Sequence, residues 1–386
     1  MRDPIRVAVD ATPLLGTRTG VGMFCAGALG ALGARVDLDV AAFAVTWRRR
    51  RLLGPRVPPG IRVVRRAMPA RPLHRAWTRS GVPPIEWFVG PVDVVHGTNF
   101  VVPPARRAAR VVTVHDLTTV RFPQMCDEST RMFPEIVRRA VDEGAWVHTP
   151  SRFVADEVVA EFGAAPERVR VVHHGIPGHR SPVDPVTALA GHRSGRPLRV
   201  ALPRGTRRYV LAIGTVEPRK DLPGLVAAFD RLAPDLPDVA LVLAGSSGWG
   251  DDALGRAISA STWADRIVRL GYVDDDALHG VLDAATVLAY PSVYEGFGFP
   301  PLEAMATGVP VVATAVGAIP EIAGDGALLV PPSDVDALAA ALVDVLEKEP
   351  TRDALITRGR ARAAMFSWEA CGDGLADLYA VAALAR

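Results

Sequence analysis

The sequence predicts an α/β protein made of two doubly wound domains, each with a parallel sheet covered by helices. Three observations carry this prediction. The chain has 386 residues, about twice the length of a typical single domain. Short apolar runs alternate with helical segments in both halves, which is typical of parallel sheets. Between the halves, residues 177–208 interrupt this alternation with a stretch rich in Pro, Gly and Arg, which is typical of a linker.

In the first half, apolar runs predict strands at residues 5–10, 38–45, 93–97, 110–116, 145–150 and 170–175. Parallel sheets bind ligands at the carboxyl ends of their strands. The residues at those predicted ends are polar: Asp10, His96, His115, Asp116, Ser151 and His174. We therefore expect a ligand site along this edge.

In the second half, the same pattern predicts strands at 209–214, 240–245, 267–271, 287–291, 309–314 and 327–331. Helices are predicted at 221–233, 275–284, 300–307, 333–347 and 351–365. The resulting division is a first domain at 1–180, a linker at 181–208, a second domain at 209–365 and a C-terminal helix at 366–386.

Composition excludes several classes of protein. Hydrophobic residues make up 49% and charged residues 22%, which is ordinary for a globular protein. No uncharged apolar run reaches the roughly 18 residues of a spanning helix, and the N-terminus lacks the features of a signal peptide. Cys25, Cys126 and Cys371 lie far apart without a CxxC pair, which argues against disulfides or a zinc site. These features predict a cytoplasmic location.

Charge is distributed unevenly. Residues 1–180 hold 26 Arg, no Lys and 16 acidic residues, a net charge of +10, whereas the whole chain carries +2. A basic first half indicates an anionic partner. Its Arg-rich stretch at 47–79, with Trp47 and Trp77, is either a solvated loop or partly ordered insertion, or a surface that docks to anionic lipid head groups or a lipid-linked acceptor. We expect no nucleic-acid partner.

The most informative segment is YPSVYEGFGFPPLEAMATGVPVVAT, at 290–314. A strand leads into Glu295, a Gly-Phe-Gly loop, and a helix that opens with two prolines and carries Glu303. Glycines let the backbone approach a ligand, and a helix N-terminus offers N–H groups without partners. The two carboxylates either accept hydrogen bonds from sugar and ribose hydroxyls or are surface residues around a tight turn.

This segment closely resembles the signature of glycosyltransferase family 4, a family of retaining enzymes with the GT-B fold. The resemblance covers essentially the whole chain and implies two Rossmann-like domains facing across a cleft. It implies that the first domain, 1–180, binds the acceptor, that the second, 209–365, binds the nucleotide-sugar donor, and that the last helix crosses back to the first domain. It implies that Glu303 holds the donor ribose. It implies that the transferred sugar is held by Glu295, Gly296, Phe297 and Gly298.

A second motif, LAIGTVEPRKDL, opens the second domain. Arg219 and Lys220 lie just before a helix, where adjacent cations can bind a diphosphate and stabilise it as it leaves. Such a pair is also common on solvated surfaces. The resemblance implies that Lys220 contacts the donor diphosphate. In many members the other cation stands at the position that Thr215 occupies in this sequence. We predict donor contacts from Gly214, Thr215 and Arg219.

In the first domain, TRTGVGMF places Gly20 and Gly22 before a predicted helix at 23–33. These glycines form either a simple turn or, as the resemblance implies, a loop that contacts the donor phosphates. His115 ends a strand and is either a structural histidine or, by the resemblance, a catalytic-site residue near the transferred sugar.

Two positions at predicted helix starts are open to two interpretations. Asp274 either receives the N–H groups of a guanine base or begins helix 275–284, where acids suit the helix dipole. Ser151 either caps a helix or belongs to the S-x-F segment of the family.

We predict no metal and no other cofactor. The triplets Asp37-Leu-Asp39 and Asp334-Val-Asp336 lie in an early strand and at the start of a surface helix, which does not suit a metal–diphosphate site. Lys220, Arg219 and helix N-termini would neutralise the diphosphate instead.

The resemblance therefore predicts a retaining, metal-independent glycosyltransferase that takes a sugar from a nucleotide-sugar donor to a glycan, lipid-linked or small-molecule acceptor. The GTxEPRK form favours mannose from GDP-mannose over UDP- or dTDP-linked donors. The protein would be cytoplasmic or peripheral at the inner face of the membrane. The alternatives are a nucleotide-sugar 2-epimerase of the same fold and a non-catalytic two-lobed sugar-binding protein.

Overall fold

The computed structural model describes residues 3–16, 19–126, 130–177 and 202–385. The chain divides into two compact units. The first comprises Met1–Ile176 and Phe366–Arg386, and the second comprises Pro177–Met365. Most of the predicted linker at 181–208 lies outside the described residues, and its described part, 202–208, lies in the second unit.

The first unit contains a seven-stranded parallel sheet in the order β3-β2-β1-β4-β5-β6-β7. Its strands are β1 Ile5–Asp10, β2 Leu38–Phe43, β3 Arg62–Val63, β4 Val94–Gly97, β5 Ala109–Thr113, β6 Trp146–Thr149 and β7 Val169–Val171. The chain proceeds from β1 outward to β3 and then returns to β4 on the other side of β1. The topological switch point of this unit therefore lies between β1 and β4.

The second unit contains a six-stranded parallel sheet in the order β10-β9-β8-β11-β12-β13. Its strands are β8 Arg208–Ile213, β9 Val239–Ala244, β10 Ile267–Gly271, β11 Val287–Tyr290, β12 Val311–Thr314 and β13 Ala327–Val330. Here the strand order reverses between β8 and β11. The predicted doubly wound parallel architecture is confirmed in both units.

Helices cover both sheets. In the first unit they are α1 Gly20–Gly33, α2 Ala70–Ser80, α3 Glu86–Val89, α4 Thr118–Arg121, α5 Phe133–Asp142 and α6 Arg152–Phe162. In the second unit they are α7 Leu222–Leu232, α8 Asp251–Ala260, α9 Asp275–Asp283, α10 Phe299–Thr307, α11 Ile319–Ala323, α12 Val335–Glu347 and α13 Glu349–Ala363. The last helix, α14 Trp368–Leu384, belongs to the first unit.

The strands read as continuous apolar runs because helices bury both faces of each sheet. Val95, Val112 and Val147, on three neighbouring strands, are fully buried. Helix α14 packs closely on α1, because Gly372 lacks the Cβ atom that would lie 2.7 Å from the Cβ of Ala31. Among the described helices, none is both long and apolar enough to cross a bilayer.

The Arg-rich stretch at 47–79 belongs to the first unit and includes secondary structure. It contains the short strand β3 and helix α2, which no apolar run had predicted. Trp77 is buried, and its Nε1 donates to the carbonyl of Pro83 at 2.8 Å. Trp47, by contrast, is 59% exposed.

Candidate active site

In the second unit, two loops leave the carboxyl ends of β8 and β11, on either side of the switch point. The first loop runs from Gly214 to Asp221, and the second from Pro291 to Gly298. The backbone N–H of Val293 donates to the carbonyl of Arg219 at 2.8 Å, which joins the two loops. Open parallel sheets bind their ligands at such a point.

The two loops bring together an ion-pair cluster formed by Arg219, Lys220 and Glu295. Oε1 of Glu295 lies 2.5 Å from Nζ of Lys220 and 2.9 Å from NH1 of Arg219. Nε of Arg219 also donates to Glu217 at 2.8 Å. All four side chains are at most 20% exposed, so water screens these charges weakly. The sequence had predicted Arg219, Lys220 and Glu295 as donor-site residues without predicting that they pair with one another.

Lys220 is held from several sides. Its ammonium donates to the hydroxyl of Tyr290 at 2.8 Å and lies 4.6 Å from the centre of that ring. Gly214, at φ 149°, lies against it, since a Cβ there would be 3.3 Å from Cε of Lys220. Among the described residues, Tyr290 and Glu295 take two of the three ammonium N–H groups.

The charges in the cluster depend on one another. Burial by itself disfavours the ionised form of Glu295, but Arg219 and Lys220 outweigh it and lower the pKa of this carboxyl to about 2. Burial lowers the pKa of the Lys220 ammonium, and Glu295 opposes that shift. Burial also raises the pKa of the Tyr290 hydroxyl, which therefore stays protonated. Glu295 is thus ionised at neutral pH and helps to keep Lys220 cationic.

The loop that carries Glu295 is fixed by glycines. Gly317 has φ 54°, and a Cβ on it would lie 2.3 Å from the carbonyl oxygen of Glu295. Ala318 donates its N–H to that same oxygen at 2.9 Å. Gly298, at φ 105°, ends the loop and precedes α10, which carries the half-buried Glu303. Gly298 of the predicted Gly-Phe-Gly loop and Gly317 therefore adopt backbone conformations that favour glycine.

Asp221 occupies the left-handed region at φ 44° and caps α7, because its carboxylate accepts the N–H of Gly224 at 3.2 Å. Asp and Asn tolerate this conformation better than other residues with a side chain. The requirement for a left-handed N-cap immediately after Lys220 accounts for the residue type at this position.

Asp274 and Ser151 both cap the helices that follow them. Oδ1 of Asp274 accepts the N–H of Ala277 at 3.1 Å, at the N-cap of α9. Oγ of Ser151, which is fully buried, accepts the N–H of Val154 at 3.3 Å, at the N-cap of α6. A contact between Asp274 and a base stays a prediction.

In the first unit, His115 is oriented by its surroundings. Its Nε2 lies 2.8 Å from the carbonyl of Thr98, which can only accept, so Nε2 carries the proton. Burial lowers the pKa of the ring, which favours the neutral form, and Nδ1 then holds a lone pair. Phe24 and Phe100 pack edge-to-face against the ring, with centroids 5.3 and 5.9 Å away. His115 is therefore suited to accept a hydrogen bond from a hydroxyl.

Next to His115 lies a directed chain of hydrogen bonds that the sequence did not reveal. Nε2 of His148 donates to the carbonyl of Val172, so Nδ1 must accept from Oγ1 of Thr113. Thr113 then accepts from Nε2 of His96, and Nδ1 of His96 accepts from the hydroxyl of Tyr379. Burial lowers the pKa of His148 to about 3, so this chain is neutral. Histidines at the ends of neighbouring strands were its only signal in the sequence.

Gly20 and Gly22 form the first turn of α1, so the prediction that they precede a helix starting at residue 23 was wrong. Thr19, in extended conformation, is the N-cap, and the first backbone hydrogen bond of the helix runs from Met23 to Thr19. Glycine is tolerated here because first-turn N–H groups have no partner within a helix. These glycines and His115 lie in the first unit, whereas the ion-pair cluster lies in the second.

Three of the four aspartates in the two D-x-D triplets pair with an arginine or cap a helix. Asp37 pairs with Arg35 at 2.9 Å, while Asp39 is exposed on β2. Asp334 caps α12 through the N–H of Ala337. Asp336 pairs with Arg231 at 2.9 Å. Within the described ranges, no group of three or more His, Cys, Asp or Glu side chains is arranged to hold a metal ion.

Comparison with known proteins gives consistent matches across both units. Residues 19–180 match the family described as Glycosyltransferase Family 4, and residues 198–362 match Glycosyl transferases group 1. The chain is 34% identical to O-antigen chain mannosyltransferase B of Escherichia coli, over 72% of this chain and 71% of that protein. It is 32% identical to MMP alpha-(1->4)-mannosyltransferase of Mycolicibacterium hassiacum, over 61% of this chain and 54% of that one.

Among solved structures, Anabaena HepE in complex with UDP and glucose superposes with a TM-score of 0.74 at 18% identity. The superposition covers 98% of this chain and all of that one. At this identity the likeness shows a shared fold, which is the GT-B fold of two Rossmann-like domains.

Proposed function

The chain belongs to glycosyltransferase family 4, and we propose that within this family it transfers mannose from GDP-mannose to a hydroxyl of a glycan, lipid-linked or small-molecule acceptor. The proposal includes retention of the anomeric configuration and independence from metal. The mannosyltransferases among its relatives and the GTxEPRK form of its basic motif support mannose as the sugar.

The observation that carries the proposal is the ion-pair cluster at the switch point of the second unit. Cleavage of a sugar–phosphate bond leaves negative charge on a diphosphate, which needs buried cations placed in advance. Lys220 and Arg219 provide those cations on one loop, and Glu295 holds them from the other. Glu303, on the helix that follows, is the carboxylate proposed for the ribose hydroxyls. An assembled pair of this kind can replace the metal ion that neutralises diphosphate in other enzymes.

Two measurements test the donor. Calorimetry with GDP, UDP and dTDP, in the presence of EDTA, should show selective binding of GDP. Incubation with GDP-mannose and a panel of methyl glycosides should then yield an α-linked product by NMR, with EDTA leaving the rate unchanged.

Selective UDP or dTDP binding would replace mannose with another sugar in the proposal. Failure of all three nucleotides to bind would remove the donor-site assignment, and conversion of the donor sugar without an acceptor would indicate an epimerase.

We further propose that the exposed part of the Arg-rich stretch docks the first unit to an anionic membrane surface. Trp47 and Leu52 are 59% and 50% exposed, and Arg48, Arg49 and Arg51 lie exposed beside them. Each basic residue near such a surface contributes about 1 kcal/mol. The protein should therefore sediment with phosphatidylglycerol vesicles at low salt and be released at high salt. Protein that stays in the supernatant at low salt would refute the docking.

A further inference from the structure

Asp10 is a half-buried carboxylate to which neither the family matches nor the donor site assigns a role. It ends β1 at the switch point of the first unit, where Val9 pairs with His96 of β4. Thr98, just after β4, donates its hydroxyl to the carbonyl of Asp10 at 2.6 Å. The carbonyl of Thr98 in turn accepts the N–H of His115. Asp10 and His115 therefore flank the same residue at the place where this type of sheet binds a ligand.

Within the described part of the chain, only one of the two oxygens of the Asp10 carboxylate accepts hydrogen bonds. Oδ1 accepts the backbone N–H of Thr12 at 2.8 Å and the hydroxyl of Thr12 at 2.5 Å. No described residue donates to Oδ2. Since a carboxylate can accept about four hydrogen bonds, Oδ2 is available to a ligand hydroxyl.

The protonation behaviour agrees with this geometry. Burial raises the pKa of the Asp10 carboxyl to about 6, and the hydrogen bonds from Thr12 only partly offset that shift. Among the described residues, the titratable group that faces it is the thiol of Cys25 on α1, whose pKa burial raises. Because no described cation compensates the charge, ionisation of Asp10 lowers the stability of the folded protein. Such arrangements are typical of functional sites.

We propose that Asp10 binds the acceptor, with its carboxylate accepting a hydrogen bond from a hydroxyl of a neutral sugar or other polyol. This inference rests on the proposed glycosyl transfer. A carboxylate repels the donor diphosphate but attracts a neutral hydroxyl, which favours the acceptor as its ligand. The donor phosphates have their cations in the second unit, whereas Asp10 lies in the first.

The test is Asp10→Asn, which keeps the size of the side chain and its contacts with Thr12. The control is Asp39→Asn, which changes an exposed carboxylate on the adjacent strand β2. With an acceptor found by the methyl glycoside screen, Asp10→Asn should raise the acceptor KM at least tenfold and leave the donor KM within twofold. The control should change neither. An acceptor KM equal to that of the wild type would overturn the proposal, whereas a wild-type protein that transfers to no acceptor contradicts the proposed function instead.

A second readout does not depend on turnover. Because the folded protein raises the pKa of Asp10 from 3.8 to about 6, the cost of its ionisation is present above pH 6 and absent below about pH 4. Asp10→Asn should therefore unfold at a higher temperature than the wild type at pH 7.5, and this difference should vanish at pH 4. If the variant is less stable than the wild type at pH 7.5, Asp10 is a structural anion and the proposal fails.

Discussion

Replacing Lys220 with methionine tests the central element of the second unit. Methionine has similar length and no charge, so it removes the ammonium from Glu295 and from Tyr290 while largely filling the same space. Arg219 stays 2.9 Å from Glu295, so the buried carboxylate keeps one partner. The substitution thus separates the loss of a cation from the collapse of the loop.

The expected effect on turnover follows from electrostatics. A cation and an anion about 4 Å apart interact by about 4 kcal/mol at an effective dielectric constant of about 20. Loss of one such donor from an active site lowers kcat by roughly 10²- to 10³-fold. The cost to stability should be smaller, within about 2 kcal/mol, because the desolvation of Lys220 is removed together with its ion pair.

The chain supplies its own control, because it contains only one other lysine, Lys348. Lys348 is 61% exposed on its side chain and pairs with Asp344, so Lys348→Met should change neither turnover nor stability measurably. Initial rates of GDP release at saturating donor would be compared for both variants, with melting temperatures as the check on folding. If Lys220→Met turns over like the wild type, Lys220 does not stabilise the leaving group.

Three further predictions concern the same unit. Glu303→Ala should weaken GDP binding roughly 10- to 100-fold by calorimetry with an unchanged melting temperature, as expected for lost hydrogen bonds to a charged group; affinity equal to that of the wild type would exclude the ribose contact. Gly317→Ala should displace the carbonyl of Glu295, lowering both melting temperature and donor affinity, whereas Gly255→Ala, with open space around the added methyl group, should do neither. Arg219 and Lys220 outweigh the effect of burial and lower the pKa of Glu295 to about 2. The ionised carboxylate should therefore stabilise the wild-type protein fully above pH 4.5, and this contribution to the free energy of unfolding should be lost between about pH 4.5 and 2. Glu295→Gln should be less stable than the wild type at pH 7 by about 3 kcal/mol or more and lack that acid-dependent loss, as chemical denaturation at each pH would show.

Much of the fold could be predicted because it is encoded locally. A run such as residues 240–245 is apolar throughout since both faces of its strand are covered, and the observed strand β9 differs from it by one residue at each end. The strand within 47–79 was not predicted, because β3 is only two residues long and has no apolar run. The start of α1 was placed three residues late because glycine is a poor helix former, while the first turn of a helix tolerates it.

The candidate site was predicted only as separate parts. The Gly-Phe-Gly loop, the basic pair and the strand-end histidine could be recognised from residue types and spacing, since each depends on neighbours in the chain. The sequence did not reveal that Lys220 and Glu295, 75 residues apart, share one buried ion pair. That pairing depends on β8 and β11 becoming neighbours in the sheet.

The sequence by itself therefore determined the two α/β units, their strand-end loops and the family to which they belong. Tertiary structure alone decided which charges meet, which tautomers the histidines adopt, and that Asp10 and His115 both form hydrogen bonds with Thr98. The physical reason is that backbone periodicity depends on neighbouring residues, whereas burial, protonation and ion pairing depend on strands brought together from distant parts of the chain.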